Sequence, residues 1–141
     1  MEIGEKEIII RYADNSDYSW LIENDKHISE KILKSKIENN EVYVVEINGK
    51  LIGWLRYNLF WDNTPFLNMI FLLDGYRNKG IGHKLMEFWE TEMKEKGYKL
   101  LMTSSLSNEQ AQHFYRKLNY IDSGELTLKN EPLEIIFTKE I

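Results

Sequence analysis

The sequence predicts a single α/β domain: a central mixed, mostly antiparallel sheet of about seven strands, with about four helices on its faces. Three observations predict it. Short runs rich in branched and aromatic residues recur along the chain, two of them joined by Asn48-Gly49, a dipeptide suited to a tight hairpin turn. Between them lie segments with apolar residues at helical spacing. The apolar run Met69-Ile70-Phe71-Leu72-Leu73 passes through Arg77-Asn78-Lys79-Gly80-Ile81-Gly82 into one of these helical segments, so a strand hands over to a helix there.

Residues 7–12, rich in isoleucine, read as the first strand. Asp14, Asn15 and Ser16 are good N-cap residues before Tyr18-Ser19-Trp20-Leu21-Ile22, which has a helical pattern. Residues 29–38 form a second helix with Ile32, Leu33 and Ile37 at helical spacing. Residues 41–47 and 51–60 are the hairpin around Asn48-Gly49, Trp61-Asp62-Asn63-Thr64-Pro65 is a loop, and residues 66–73 are the fourth strand. The glycine-rich helix runs over residues 81–96, with Ile81, Leu85, Phe88, Trp89 and Met93 as its buried stripe, until Gly97 stops it.

Residues 99–106 are the fifth strand. Ser107-Asn108-Glu109-Gln110 reads as a capping box, with serine at the N-cap and glutamine at N3. The helix beyond it carries Ala111, Phe114, Tyr115 and Leu118 at core spacing, and Asn119 follows its end. Residues 120–128 and 133–139 pair as a last hairpin around Lys129-Asn130-Glu131-Pro132. The resulting order is β-α-α-β-β-β-α-β-α-β-β.

Composition removes several classes of function. The 141 residues carry 18 basic and 23 acidic side chains, a formal net charge of −5, with neither a basic excess nor a basic stripe, so nucleic acid is not expected as a partner. A mildly acidic surface either steers a cationic substrate or simply keeps a small domain soluble. No run of about 18 apolar residues occurs, so no membrane span is expected. The stretch Met1-Glu2-Ile3-Gly4-Glu5-Lys6-Glu7 is too charged for a signal peptide. The absence of cysteine excludes disulfides, thiolate metal sites and a cysteine nucleophile, and it fits a reducing, cytoplasmic setting. His27, His83 and His113 form no cluster of metal-ligand spacing, so no metal is expected.

The segment from Arg77 to Gly82 is the most informative. Backbone N–H groups at a helix start lack intrahelical partners, the helix dipole adds partial positive charge, and glycines let a ligand approach the backbone closely. Together they suit a phosphorylated ligand. A dinucleotide fingerprint fails because Leu85 stands where its third glycine belongs. A Walker loop fails because Ile81 and Gly82 replace its lysine and hydroxyl residue.

What remains is Arg-x-x-Gly-x-Gly ahead of a long amphipathic helix. One strand later comes Asn108-x-x-Ala111-x-x-Phe114-Tyr115-Arg116-Lys117-Leu118-Asn119-Tyr120. In this order the two stretches resemble the core of the GNAT superfamily of N-acetyltransferases, and the rest of the element order fits its layout. The resemblance implies acetyl-coenzyme A as the co-substrate. It implies that backbone groups around Asn78, Lys79, Gly80, Ile81 and Gly82 hold the diphosphate, helped by His83 and Lys84, with charge from Arg77 and Lys79. Phe71, Leu72 and Leu73 would offer backbone groups to the pantetheine arm, and one N–H there would stabilise the oxyanion. Asn108 aligns with a pantetheine-binding position, though helix capping accounts for it equally.

Tyr115 aligns with the family's general acid for the departing thiolate; spacing alone makes it a core aromatic. Many relatives carry a glutamate base on the fourth strand, whereas this strand has Asn68 and no carboxylate. A water chain, Asp62 or an already neutral amine are the alternatives for the base. Asn119 replaces a usual glycine at a helix end, where asparagine tolerates a left-handed backbone. On the acceptor side, Trp20, Trp54, Trp61 and Asn68 are candidate substrate contacts, and Arg56 is read as solvent-facing. The expected reaction is direct transfer to a primary amine of a small molecule or peptide in a ternary complex. The alternative is a catalytically weak acyl-CoA-binding regulatory domain. An exposed edge or apolar helix face leaves a homodimer open.

Overall fold

The computed structural model describes residues 7–141; the charged stretch at residues 1–6, on which the signal-peptide argument rested, lies outside the described residues. The elements are β1 (Ile8–Tyr12), α1 (Tyr18–Asn24), α2 (Glu30–Glu38), β2 (Val42–Ile47), β3 (Lys50–Phe60), β4 (Thr64–Leu72), α3 (Ile81–Glu95), β5 (Leu100–Leu106), α4 (Ala111–Lys117), β6 (Ile121–Leu126) and β7 (Glu134–Glu140), with a short 3-10 turn at Asn15–Asp17 before α1. The strands form one seven-stranded sheet in the order β1-β2-β3-β4-β5-β7-β6. The pairs β1–β2, β2–β3, β5–β7 and β6–β7 are antiparallel, and β4–β5 is parallel over Phe66↔Met102 and Leu67↔Thr103. The sheet is therefore mixed and mostly antiparallel, with helices in the expected order.

The described residues divide into two compact units, residues 7–57 with Met69–Phe88, and Asn58–Asn68 with Trp89–Ile141. In the first, Arg11 is a charged hub. Its guanidinium donates to both carboxylate oxygens of Asp17, at 2.8 and 2.9 Å, and to Glu46 across the β1–β2 pair. Asp17 also accepts the backbone N–H of Asp14, completing a capping box that fixes the entry into the first helical segment. Leu21, Leu33, Ile37, Val42, Val44 and Trp54 form the core beneath α1 and α2. Ile32, expected in that core, is 53% exposed, because the helix turns Leu33, Lys36 and Ile37 inward instead. In α3, Ile81, Leu85, Met86, Trp89 and Met93 are buried, each contributing about 1.5–3 kcal/mol of hydrophobic stabilisation.

Three helices end by the same device. Asn40, Gly97 and Asn119 adopt φ of 56°, 95° and 71° just past α2, α3 and α4. At each, the next residue donates back to the third-last carbonyl of the helix: Glu41 to Lys36, Tyr98 to Met93 and Tyr120 to Tyr115. These are Schellman closures, and asparagine serves twice in the position glycine usually takes.

Several local expectations are corrected. The loop over residues 61–65 is shorter than expected. Trp61 and Asp62 take φ of 56° and 63°, Asn63 donates to the Phe60 carbonyl, and β4 begins at Thr64, making β3–β4 a tight hairpin. The capping box at Ser107-Asn108-Glu109-Gln110 does not form. α4 starts at Ala111 and Gln110 makes no side-chain cap bond. Glu109 instead accepts from the Leu106 N–H, and the Gln112 amide donates to the Ser107 and Glu109 carbonyls, so these side chains hold a turn ahead of the helix.

Candidate functional site

In the first unit, β3 sets the position of β4. The β2–β3 register runs Val45↔Gly53 and then Glu46↔Leu51, which leaves Ile52 as an extra residue on β3. Such a bulge bends its strand. The Ile52 carbonyl accepts the Leu73 N–H at 2.8 Å. A Cβ on Gly53 would lie 2.6 Å from the Phe71 carbonyl oxygen and 2.5 Å from a Leu72 methyl. Glycine at position 53 is therefore what lets the backbone of Phe71, Leu72 and Leu73 lie where it does.

The turn after β4 is built from left-handed residues. Gly75, Asn78 and Gly80 have φ of 92°, 60° and 81°. The Gly80 carbonyl accepts the Lys84 N–H at 3.1 Å, so Gly80 caps α3. No acidic residue stands in the first turn of α3; His83 and Lys84 do. Cations at a helix start oppose the dipole by about 0.3–1 kcal/mol each, so this end of α3 favours an external anion. Space around Gly75 and Gly80 is open, with no atom within 4 Å of an added Cβ at either.

Arg77 does not extend from this turn. Its Nε donates to the Leu72 carbonyl at 2.9 Å, one Nη lies 3.3 Å from Asp74, and its guanidinium sits 4.8 Å from the centre of the Phe71 ring. Arg77 thus braces the turn against the end of β4, whereas Lys79 is exposed. His83 is exposed and lies 3.8 Å from Glu87.

The aromatic candidates in this unit share one cluster. Trp54 stacks on Phe71 at 4.9 Å and meets Trp20 edge-on at 5.7 Å. Its buried indole N–H meets no acceptor among the described residues. Arg56, expected at the surface, is only 7% exposed. Its Nε donates to Asp25 at 2.7 Å, and a carboxylate as deeply buried as Asp25 is what allows an arginine inside. Beside this pair, Lys36 donates to the Tyr57 carbonyl; burial holds its ammonium below the usual lysine range, despite Glu41 at 3.7 Å.

In the second unit, Tyr115 is the buried tyrosine of α4, 5% exposed. Its ring centre lies 5.9 Å from those of both Tyr120 and Phe137 and 5.6 Å from that of Phe114. Burial pushes its phenol up to about 12, the carboxylates of Glu109 and Glu134 add to the rise, and a hydrogen bond with Thr103 opposes it. Tyr120 donates to Glu90 at 2.8 Å, and Lys139 donates to the other oxygen of the same carboxylate. Burial followed by the Glu90 charge raises the Tyr120 phenol as well. Asn108 is exposed on the turn before α4, Asn68 is exposed on β4, and Trp61 is 78% exposed at the tip of the β3–β4 turn. Trp61 touches Phe60, and Phe60 touches Phe66.

Sequence reasoning singled out neither Gly53 nor Thr103. A glycine inside a strand is a legible sign of close backbone approach. A threonine in a strand rich in small hydroxyl residues carries no such signal. Among the described residues there is no group of three or more side chains able to hold a metal ion, and no helix is long and apolar enough to cross a membrane.

The element order and the glycine-rich turn ahead of α3 define a class, mixed α/β domains in which an anion-favouring turn heads a central helix. The chain belongs to the acetyltransferase (GNAT) family, whose sequence model matches residues 7–120. Solved structures share the fold. The chain is similar to Ard1 from Thermoplasma volcanium, at 14% identity and TM-score 0.81, covering 96% of this chain and 98% of that one. It is similar to the ribosomal-protein-S18-alanine N-acetyltransferase from Escherichia coli, at 20% identity and TM-score 0.78, covering 95% and 94%. It is also similar to a GNAT family acetyltransferase from Elizabethkingia anophelis with acetyl-CoA bound, at 19% identity and TM-score 0.75, covering 97% and 100%. No curated protein sequence matches the chain.

Proposed function

We propose that the protein is an acetyl-CoA-dependent N-acetyltransferase that moves the acetyl group to a primary amine by direct attack, with no covalent enzyme intermediate. The observation that carries this reading is the turn from Leu73 to Gly80 at the head of α3, with left-handed Asn78 and Gly80 and no carboxylate in the first helical turn, in a chain of the GNAT family. The backbone N–H groups of Asn78, Lys79, Gly80, Ile81 and Gly82 bind the diphosphate, with Lys79, His83 and Lys84 adding charge. Arg77 contributes by shaping the turn, as its contacts with Leu72, Asp74 and Phe71 support. The backbone of Phe71, Leu72 and Leu73 receives the pantetheine amides, and Asn108 adds a polar contact to the same arm. The acetyl-CoA held by the Elizabethkingia anophelis neighbour supports the choice of donor.

Tyr115 donates to the departing thiolate. With its phenol held at about 12, the group is protonated throughout the neutral range, which is the state a donor needs. A thiol has a reference pKa of about 8.5, so complete transfer is uphill by roughly 3–4 pKa units, about 5 kcal/mol. The phenol therefore acts by sharing its proton as charge builds on sulfur, and the phenolate is refilled by the proton the amine loses. Trp20, Trp54, Trp61 and Asn68 face the acceptor in this reading. The acceptor is a small-molecule or peptide amine; the neighbour named as an S18-alanine N-acetyltransferase supports keeping the peptide in that class.

One observation favours a second reading. β4 carries the exposed Asn68 and no carboxylate, as expected of an acyl-CoA-binding regulatory domain with weak turnover. Thiol release from acetyl-CoA with a panel of small amines and N-terminal peptides, in wild type and Tyr115→Phe, separates the two. The enzyme reading expects amine-dependent release that falls about 10²-fold or more in the variant, the scale of a lost proton donor. Binding of acetyl-CoA with no release against any amine supports the regulatory reading.

A further inference from the structure

Trp54 stands on the acceptor side of the first unit, yet at 2% exposed it is too buried to touch a ligand itself. Whatever it does for the site passes through its neighbours. Its ring stacks on that of Phe71, 4.9 Å away and tilted by 28°. Phe71 is 37% exposed, and the Arg77 guanidinium lies over its ring at 4.8 Å. Arg77 in turn holds backbone, donating from Nε to the Leu72 carbonyl at 2.9 Å, with one Nη 3.3 Å from Asp74. Behind Trp54, Trp20 of α1 meets it edge-on at 5.7 Å, and Leu21, Leu33, Val42 and Val44 share its core. Trp54, Phe71 and Arg77 therefore form a stack that runs from the core of this unit to the turn at the head of α3.

Each layer of the stack is held by the one beneath it. The negative face of an aromatic ring attracts a guanidinium, and a planar fork stacked on a ring is kept in one geometry. An exposed arginine without that support is drawn off a carbonyl by water, because its hydrogen bonds are worth little net. The ring of Phe71 offers the support only where its own packing puts it. Gly53 brings the β3 backbone against the Phe71 carbonyl, whereas the ring rests on Trp54. We propose that Trp54 is a positioning residue for acetyl-CoA. It fixes the Phe71 ring, the ring fixes Arg77, and Arg77 holds the turn whose backbone N–H groups bind the diphosphate. Resting on the proposed donor site, this adds to it a buried residue of β3 that touches no part of the ligand.

The test uses the full chain and acetyl-CoA, with two readouts. The first is the Kd for acetyl-CoA by isothermal titration in Trp54→Leu, Trp54→Phe, Phe71→Leu, Arg77→Ala and the combined Trp54→Leu/Arg77→Ala. The second needs no ligand: the Arg77 Nε–H resonance, assigned by its loss in Arg77→Ala, followed for its ring-current shift and its exchange with water. Trp54→Leu, Phe71→Leu and Arg77→Ala are each expected to raise Kd about fivefold, the scale of one exposed cation–π contact. Trp54→Phe keeps a ring against Phe71 and is expected to bind as wild type does. The combined variant should also stay near fivefold, since both changes break one chain of contacts, whereas independent effects would multiply to about 25-fold. In Trp54→Leu the Arg77 resonance should lose its shift and exchange faster. Multiplied effects, or an Arg77 resonance unmoved in folded Trp54→Leu, overturn the proposal. If Trp54→Leu does not fold, Phe71→Leu at its surface position decides through the same two readouts, alone and combined with Arg77→Ala. A wild type that binds no acetyl-CoA overturns the donor site and this inference with it. A wild type that binds, with an Arg77 resonance indifferent to Trp54, overturns this inference alone.

Discussion

Arg77 donates from Nε to the Leu72 carbonyl at 2.9 Å, tying the first basic residue of the glycine-rich turn to the last residue of β4. The turn and the strand are therefore one piece of backbone architecture. The guanidinium also covers the Phe71 ring, so the same side chain fixes both the carbonyl and the aromatic next to it.

Replacing Arg77 should loosen that piece rather than remove a direct phosphate contact. The side chain is about half exposed, so its bonds are screened and worth about 1 kcal/mol together. Arg77→Ala is expected to raise KM for acetyl-CoA about fivefold with kcat nearly unchanged. Arg77→Lys, which keeps the charge but loses the planar fork, should resemble alanine. Steady-state kinetics at varied acetyl-CoA checks both.

The two glycines flanking this region should fail differently. Gly80 sits at φ 81° with open space around it, so Gly80→Ala costs only backbone strain, about 1–2 kcal/mol, and should weaken acetyl-CoA binding with a small loss of stability. Gly53→Ala drives a methyl into the Phe71 carbonyl and the Leu72 side chain. It should lower the melting temperature more than Gly80→Ala does and raise KM as well. Thermal unfolding alongside acetyl-CoA titration separates the two.

Asp25 and Arg56 form a pair that is expensive to break. Asp25→Ala strands the Arg56 charge inside the unit, beside Lys36, at an expected cost of about 3–5 kcal/mol. The melting temperature should fall by about 10 °C. Asp25→Leu combined with Arg56→Met should recover much of the loss, because it removes both charges. A double variant as unstable as Asp25→Ala would contradict the view that the stranded charge is the cause.

Alkaline unfolding should report the buried tyrosines. Tyr115 holds its proton up to about 12, above the unfolded value near 10. Its contribution to stability is therefore fully present below about pH 10 and is lost as pH rises from about 10 to 12. The difference amounts to roughly 2–3 kcal/mol. Urea unfolding across that window should fall less steeply in Tyr115→Phe than in wild type. Tyr120, raised in the same direction, should make Tyr115→Phe/Tyr120→Phe flatter still.

Much of the fold was legible because local chemistry and tertiary packing agreed. Asn48-Gly49 supplies two positive φ values at a hairpin, and the structure shows 52° and 78° there. Gly97 and Asn119 stop their helices as their chemistry suggests. The β3–β4 turn was read as a longer loop because Asp62, Asn63 and Pro65 are all turn-type residues, yet positive φ falls on Trp61 and Asp62 and β4 begins at Thr64. The box at Ser107 misled for the opposite reason: its residue types suit a cap, but Glu109 and Gln112 bind the turn's backbone first. On the candidate site, the glycine turn and Tyr115 were visible as motifs. The brace from Arg77 to β4 and the clearance at Gly53 were not singled out, since each is a contact made only when the chain folds back on itself. Arg56 was misread for the same reason, its partner Asp25 lying on the other side of α2 in the sequence.

The central claim is that this chain binds acetyl-CoA through the turn at the head of α3, and isothermal titration of acetyl-CoA into the full chain tests it most directly. The account predicts saturable binding at one site per chain, competed by coenzyme A and weakened in Gly80→Ala. An absence of binding heat up to millimolar acetyl-CoA, with wild-type protein shown to be folded, would contradict it.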